Sequence, residues 1–271
     1  MRTAFATVLA CLALTAVGAP APDDVAIVAA AKLAEKANYS WSSAISNDAS
    51  GGFSRLEGQT VRGGYTLISL HNAADVLRTR GVVRDADGAT QIFFRGSARC
   101  VILTEQDGWL APDELPAPDP STGRTPAARN PGRGAGGRGG GRAAPSSIPS
   151  KIEDYTFEIR HPHEDLDLII GSYTTLRAAG DSFTGELTNA GAALFLSAFA
   201  QPKVEVRRAS GSFHCWIENG VVVRYEVLIT GTVNLPGDKA ALPVNWTIRT
   251  EIHDIGTTRL NVPAAVRVKL G

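Results

Sequence analysis

Cysteine is scarce in this chain, with three in 271 residues, which excludes a disulfide-stapled scaffold. Neither sign of charge prevails: 27 Lys and Arg face 27 Asp and Glu, for a formal net charge of zero. That balance removes the bulk basic potential of a nucleic-acid-binding domain, so no specific nucleic-acid partner is expected. Long apolar runs are missing outside the extreme N-terminus, which excludes a multi-pass membrane protein and leaves no transmembrane segment expected in the mature chain. Reactive signatures are missing too. There is no G-x-S-x-G, no H-E-x-x-H, no P-loop and no C-x-x-C. What is present is a 44% hydrophobic fraction, enough to support a core and too high for disorder throughout.

The first segment reads as an export signal. Met1-Arg2 is a short positive start, and an apolar run from Ala4 to Val17 follows. Small residues then cluster at Ala16, Gly18, Ala19 and Ala21. Residues 1–21 are therefore expected to be a signal peptide, with a periplasmic or secreted product. Val8-Leu9-Ala10-Cys11 loosely resembles a lipobox, so lipidation at Cys11 stays open beside plain burial of the Cys in the signal's apolar run.

Composition changes again over 111–150. Pro112, Pro116, Pro118 and Pro120 come first. Arg124, Arg129, Arg133, Arg138 and Arg142 then punctuate a Gly-rich run containing no acid. So little can be buried there that a disordered Pro/Gly/Arg-rich insertion is predicted. Gly134 to Gly139 fits G-x-G-x-x-G, but no strand precedes it and no helix follows, so it is not a dinucleotide fingerprint. The spaced arginines suit an anionic surface by charge alone. Residues 22–110 and 151–271 are then two parts of one β-rich domain around this insertion.

The flanking parts read as helix, then meander, then helices, then meander. A helix is predicted from Asp23 or Asp24, with Val25, Val28, Ala29, Leu33 and Ala37 sharing a face. Strands are predicted near 39–45, 53–60, 64–70, 90–95 and 99–104. A second helix spans 162–173. Strands follow at 174–178 and 182–187, and an almost wholly apolar helix at 190–200. Further strands are predicted at 204–208, 211–217, 221–232 and 244–252. Glu218-Asn219-Gly220 is a hairpin signal. Apolar residues alternate onto one face: Tyr39, Trp41 and Ile45; Val223, Tyr225, Val227 and Ile229; Trp246 and Ile248. Such a face must be covered by helices or curl around a cavity. The predicted fold is α+β, a strongly curved antiparallel sheet (a half-open barrel) with a few helices against its concave face.

The densest polar cluster is His161-Pro162-His163-Glu164-Asp165-Leu166-Asp167. It reads as a helix N-terminus, where acids favour the positive dipole end and Pro suits the first turn. His161 and His163 are only weak metal-ligand candidates, and a metal-dependent hydrolase built on them is a minor alternative. No cofactor and no catalytic residue are expected. His214 and His253 fall opposite the apolar face and are expected to face solvent. The four tryptophans, Trp41, Trp109, Trp216 and Trp246, are a cavity wall or ordinary core. Cys100 and Cys215 lie in strand-like runs, either paired or as two buried thiols.

Three stretches resemble the LolA/LppX-like superfamily of periplasmic lipoprotein carriers and lipid-binding lipoproteins. Cys100-Val101-Ile102-Leu103 leading to Asp107-Gly108-Trp109 is similar to a family strand ending in Trp. Phe213 to Val222 is similar to its hairpin, and Glu251 to Pro263 to its closing strand and final segment. The resemblance implies a half-open barrel whose apolar interior, lidded by helices, holds acyl chains. The chain departs from the family in its long insertion and in lacking a convincing lipobox, which implies a soluble member. The expected function is non-catalytic binding of a hydrophobic small molecule or acyl chain, in lipid or lipoprotein transport, by a monomer of the cell envelope. The cavity-lining candidates are Trp41, Ile45, Ile92, Phe94, Val223, Tyr225, Val227, Trp246 and Ile248. The other reading is an interaction or structural protein that holds an anionic envelope surface with its Arg-Gly segment.

Overall fold

The structure, a computed structural model, describes residues 22–47, 52–71, 89–96, 99–104, 108–115, 160–198, 205–234 and 242–271. The predicted signal segment and residues 116–150 of the predicted insertion lie outside them. The insertion's first residues are described: Pro112–Glu114 form a 3-10 turn and Leu115 is buried.

The first meander comprises β1 (Asn38–Asn47), β2 (Gly52–Val61), β3 (Tyr65–His71), β4 (Thr90–Arg95), β5 (Arg99–Thr104) and β6 (Gly108–Leu110). The second comprises β7 (Tyr173–Ala179), β8 (Ser182–Leu187), β9 (Glu205–Glu218), β10 (Val221–Asn234) and β11 (Leu242–His253). They form one 11-stranded sheet in the order β6-β5-β4-β3-β2-β1-β11-β10-β9-β8-β7. The meanders join where β1 runs antiparallel to β11, with Ser40 opposite His253 and Ile45 opposite Ile248. The described residues also form four α-helices: α1 (Pro22–Glu35), α2 (Pro162–Ser172), α3 (Asn189–Ala198) and α4 (Ala264–Leu270).

Local chemistry accounts for the strand geometry. Asn219 and Gly220 take φ of 51° and 71°, the primed turn that suits a two-residue hairpin between β9 and β10. The two strands predicted at 204–208 and 211–217 are one. Arg208 (φ 52°) sits at an irregularity where the partners of Thr230 and Thr232 jump from Ser210 to Arg207. The sheet is open and curved. Trp41 lies flat on its cross-strand partner Gly58, where a Cβ would fall 2.0 Å from the ring, and Phe213 lies the same way on Gly185, at 2.5 Å. Glycines covered by an aromatic ring are how strongly bent strands keep their packing.

The inner face carries one apolar cluster from β1–β5 and β8–β11 with α1, α2 and α3. α1 buries Ala26, Ala29, Ala30 and Leu33, while Ile27 and Val28 are exposed. The buried stripe is thus turned from the predicted one onto the alanines, whose small side chains allow close approach to α2 and β10. α3 buries Ala192, Phe195 and Leu196 and exposes Leu194, so it is amphipathic in place rather than buried all round. α1, α2 and α3 are the expected helices of the inner face, and α4 lies apart from them. Val262, Val266 and Leu270 pack on Phe93 and Val101, on the opposite face of β4 and β5.

Candidate functional site

Seven of the nine cavity-lining candidates are buried in the inner cluster: Trp41, Ile92, Phe94, Tyr225, Val227, Trp246 and Ile248. Ile45 is half-buried against them. Val223 is the exception. A bulge between Val222 and Arg224 adds a residue to β10, so Val222 takes the buried place that strict alternation assigns to Val223.

Set into this apolar surface is a polar latch that holds the first turn of α2. Asp165 is buried and accepts a hydrogen bond from Tyr225 Oη at 2.8 Å. Tyr225 and Ser43 flank Thr250 in a single cross-strand row, and Ser43 Oγ lies 2.7 Å from Thr250 Oγ1. Thr250 also hydrogen-bonds Tyr225. On the other side of Asp165, Arg160 Nη1 stands 3.9 Å from Oδ1, and Arg160 Nη2 donates to Leu194 O of α3 at 3.1 Å. One polar chain therefore runs from α3 through α2 to β10, β11 and β1.

A second chain runs beside it. His163 Nδ1 is 2.7 Å from Tyr39 Oη, Tyr39 bonds Thr60, and Trp41 Nε1 donates to Thr60 Oγ1 at 3.2 Å. Burial lowers the pKa of His163, with the neighbouring His161 acting the same way, while burial raises that of Tyr39. The lowered pKa favours the neutral imidazole, whose Nδ1 is hydrogen-bonded to the Tyr39 hydroxyl. His161 opens the helix. Its backbone N–H donates to Glu164 Oε2 at 2.8 Å, and its ring Nδ1 lies 3.2 Å from the same oxygen, forming a capping box. Burial opposes ionisation of Glu164, but these His161 contacts outweigh it and hold the carboxyl at about 2. Asp165 goes the other way. Burial pushes its carboxyl up to about 6 against the pull of Tyr225 and Arg160.

The two histidines thus serve to seat α2. Each Nδ1 is committed to a neighbour, and the rings stack 5.6 Å apart. Among the described residues no group of three or more His, Cys, Asp or Glu side chains is placed to hold a metal ion. Cys100 and Cys215 are both buried and form no disulfide, and burial pushes the Cys215 thiol up to about 12. Trp216 faces outward and Cys215 inward. His253 is exposed on the outer side, whereas the outward-facing His214 is half-covered against Trp216.

Reading each side chain singly missed the latch. Its signals were small: Ser43 between Trp41 and Ile45, Thr250 between Ile248 and Ile252, and Asp165 beside Leu166. Each is a polar residue at a position whose neighbours on the same face are apolar.

No family model matches the chain. No curated protein matches it either. Among solved structures it is similar to LprF from Mycobacterium bovis at 9% identity and a TM-score of 0.41, over 92% of this chain and 98% of that one. It is also similar to a DUF1329 family protein from Desulfovibrio piger ATCC 29098, at 11% identity and a TM-score of 0.30, over 88% and 94% of the two chains. A LolA superfamily protein from Nitrosomonas europaea follows at 8% identity and a TM-score of 0.27, over 86% and 96%. The third bears the family name that the sequence motifs resemble. At these identities and scores no role, ligand or partner carries over to this chain.

Proposed function

We propose that the chain is an exported, non-catalytic envelope protein that binds a lipid or acyl chain between the inner face of its sheet and the helices. The observation that supports this reading is the continuous apolar inner face drawn from β1–β5 and β8–β11, against which three of the described helices, of 14, 11 and 10 residues, pack. α1 and α3 bear on β7–β10. The middle helix is pinned to the sheet by hydrogen bonds at one end, through Asp165 and His163.

The test is extraction of the chain, purified from its native compartment, with organic solvent, followed by mass spectrometry. A stoichiometric lipid is expected. An empty extract, with no uptake of a fluorescent fatty acid by the same preparation, refutes the reading. No helix among the described residues is long and apolar enough to cross a membrane.

A further inference from the structure

The open sheet has two edges, and they differ. β6 has three residues, and the chain beyond it turns away at Pro112, where Glu114 is tied to Lys269 of α4. A very short strand and a nearby proline are common ways to blunt an edge against pairing. β7 has seven residues, Tyr173–Ala179, of which five are exposed. It carries no Pro and no Lys, and its one charge, Arg177, lies on the outer face. Its bulge is confined to its start, between Tyr173 and Thr175. Among the described residues β8 is its only strand neighbour.

The β7–β8 hairpin sets which backbone groups stay free. Gly180 and Asp181 form a two-residue turn, so the flanking Ala179 and Ser182 are a hydrogen-bonded pair. By alternation Arg177 and Thr175 turn their N–H and C=O groups to β8, and Leu176 and Ala178 turn theirs to the open edge. A second β7 running antiparallel, with a two-fold axis at Leu176, puts Leu176 opposite its own copy in a hydrogen-bonded pair. The two leucines then meet on the inner side, where Leu176 already packs half-buried against the apolar cluster. Arg177 of the second copy falls opposite Thr175. An axis at Arg177 instead would set two guanidinium groups against each other, which charge disfavours.

Charge on the outer face favours the Leu176 axis. β7–β11 floor an open groove of about 710 Å³ there. On the groove floor Arg224 lies over the Trp216 ring at 3.6 Å, and Arg249 donates to Glu226 at 2.9 Å. Arg177 of β7 and Glu186 of β8 line the same groove next to the free edge. Both are exposed, and neither has an ion-pair partner among the described residues. Glu186 lies opposite Thr175. The Leu176 axis therefore brings Arg177 of the second copy to within two strand spacings of Glu186, about 10 Å between backbones. The two long side chains bridge that span over the short Thr175, and symmetry makes the contact twice. We propose that β7 is a dimerisation edge, pairing antiparallel with β7 of a second copy about Leu176 and held in register by Arg177 and Glu186 across the two chains. The dimer stands in place of the monomer expected from the sequence. It goes beyond the lipid-binding reading and does not depend on it.

The experiment is sedimentation velocity of the full chain over a wide range of concentrations. A reversible dimer is expected. Arg177→Glu and Glu186→Arg are each expected to weaken it roughly tenfold or more, because each sets like charges across the axis. The two substitutions combined reverse both charges and are expected to restore the dimer. Both side chains are exposed, and circular dichroism checks that all three variants fold as the parent does. A monomer at every concentration overturns the proposal. A dimer that neither single variant weakens overturns it as well, as does a double variant no better than the single ones.

Discussion

Replacing Asp165 with Asn isolates the carboxyl that holds α2 to the sheet. The carboxamide keeps the size of the side chain and an oxygen that can accept from Tyr225, so the 2.8 Å hydrogen bond survives. What it removes is ionisation in a buried place. Burial raises the carboxyl of the folded chain from 3.8 to about 6. The folded chain therefore binds this proton more tightly than the unfolded chain does, and ionisation above pH 6 is paid in stability. The stability lost grows as pH rises from the unfolded value through the folded one. A shift of roughly two units corresponds to about 3 kcal/mol. Asp165→Asn carries no such term. Urea denaturation of both proteins, followed by far-ultraviolet circular dichroism, is expected to show the variant gaining on the parent by about 2 to 3 kcal/mol between about pH 4 and about pH 7.5. Every other titrating group is common to the two proteins and cancels in that difference. A difference that stays constant across this range would refute a raised carboxyl at Asp165 and the buried latch with it.

The remaining predictions bear on other parts of the latch and the sheet. Tyr225→Phe leaves the Asp165 carboxyl buried without its donor and is expected to cost about 1 to 3 kcal/mol in the same assay. Glu164→Gln is expected to remove stability that is present above the ordinary glutamate value of 4.5 and lost as pH falls toward about 2, so acid-induced unfolding begins at higher pH. Gly58→Ala places a Cβ 2.0 Å from the Trp41 ring, with an expected cost of about 1 to 3 kcal/mol and a shift in tryptophan fluorescence. Leu166→Ala, at a fully buried position of α2, is expected to cost about 2 to 5 kcal/mol in thermal unfolding.

Much of the architecture was legible because its signals are local. Alternating apolar residues with Gly and Asn at the turns mark strands wherever one face is buried, and β4, β5 and β8 begin and end where the residue pattern places them. Val223 shows the limit of the rule. Alternation cannot reveal the extra residue of a bulge, because the bulge depends on the twist and pairing of β9 against β10. α4 was missed for a related reason: Ala264–Leu270 is a short segment, and it is held by Phe93 and Val101, far away in the chain.

By itself the sequence determined the fold class, the absence of common reactive motifs and, Val223 apart, which of the alternating strand residues named from it turn to the inner apolar face, since composition and period 2 are properties of neighbouring residues. Only the tertiary structure decided what the polar residues do. Ser43, Thr250, Tyr225 and Asp165 lie on four different elements and become a latch only because β1 pairs with β11, β10 with β11, and α2 settles on the curved face. Trp216, Arg224 and Glu226 likewise become one groove floor only through the β9–β10 register. Hydrogen bonds and stacking act over a few ångströms, so their partners are chosen by packing, whereas burial of an apolar stripe is written along the chain.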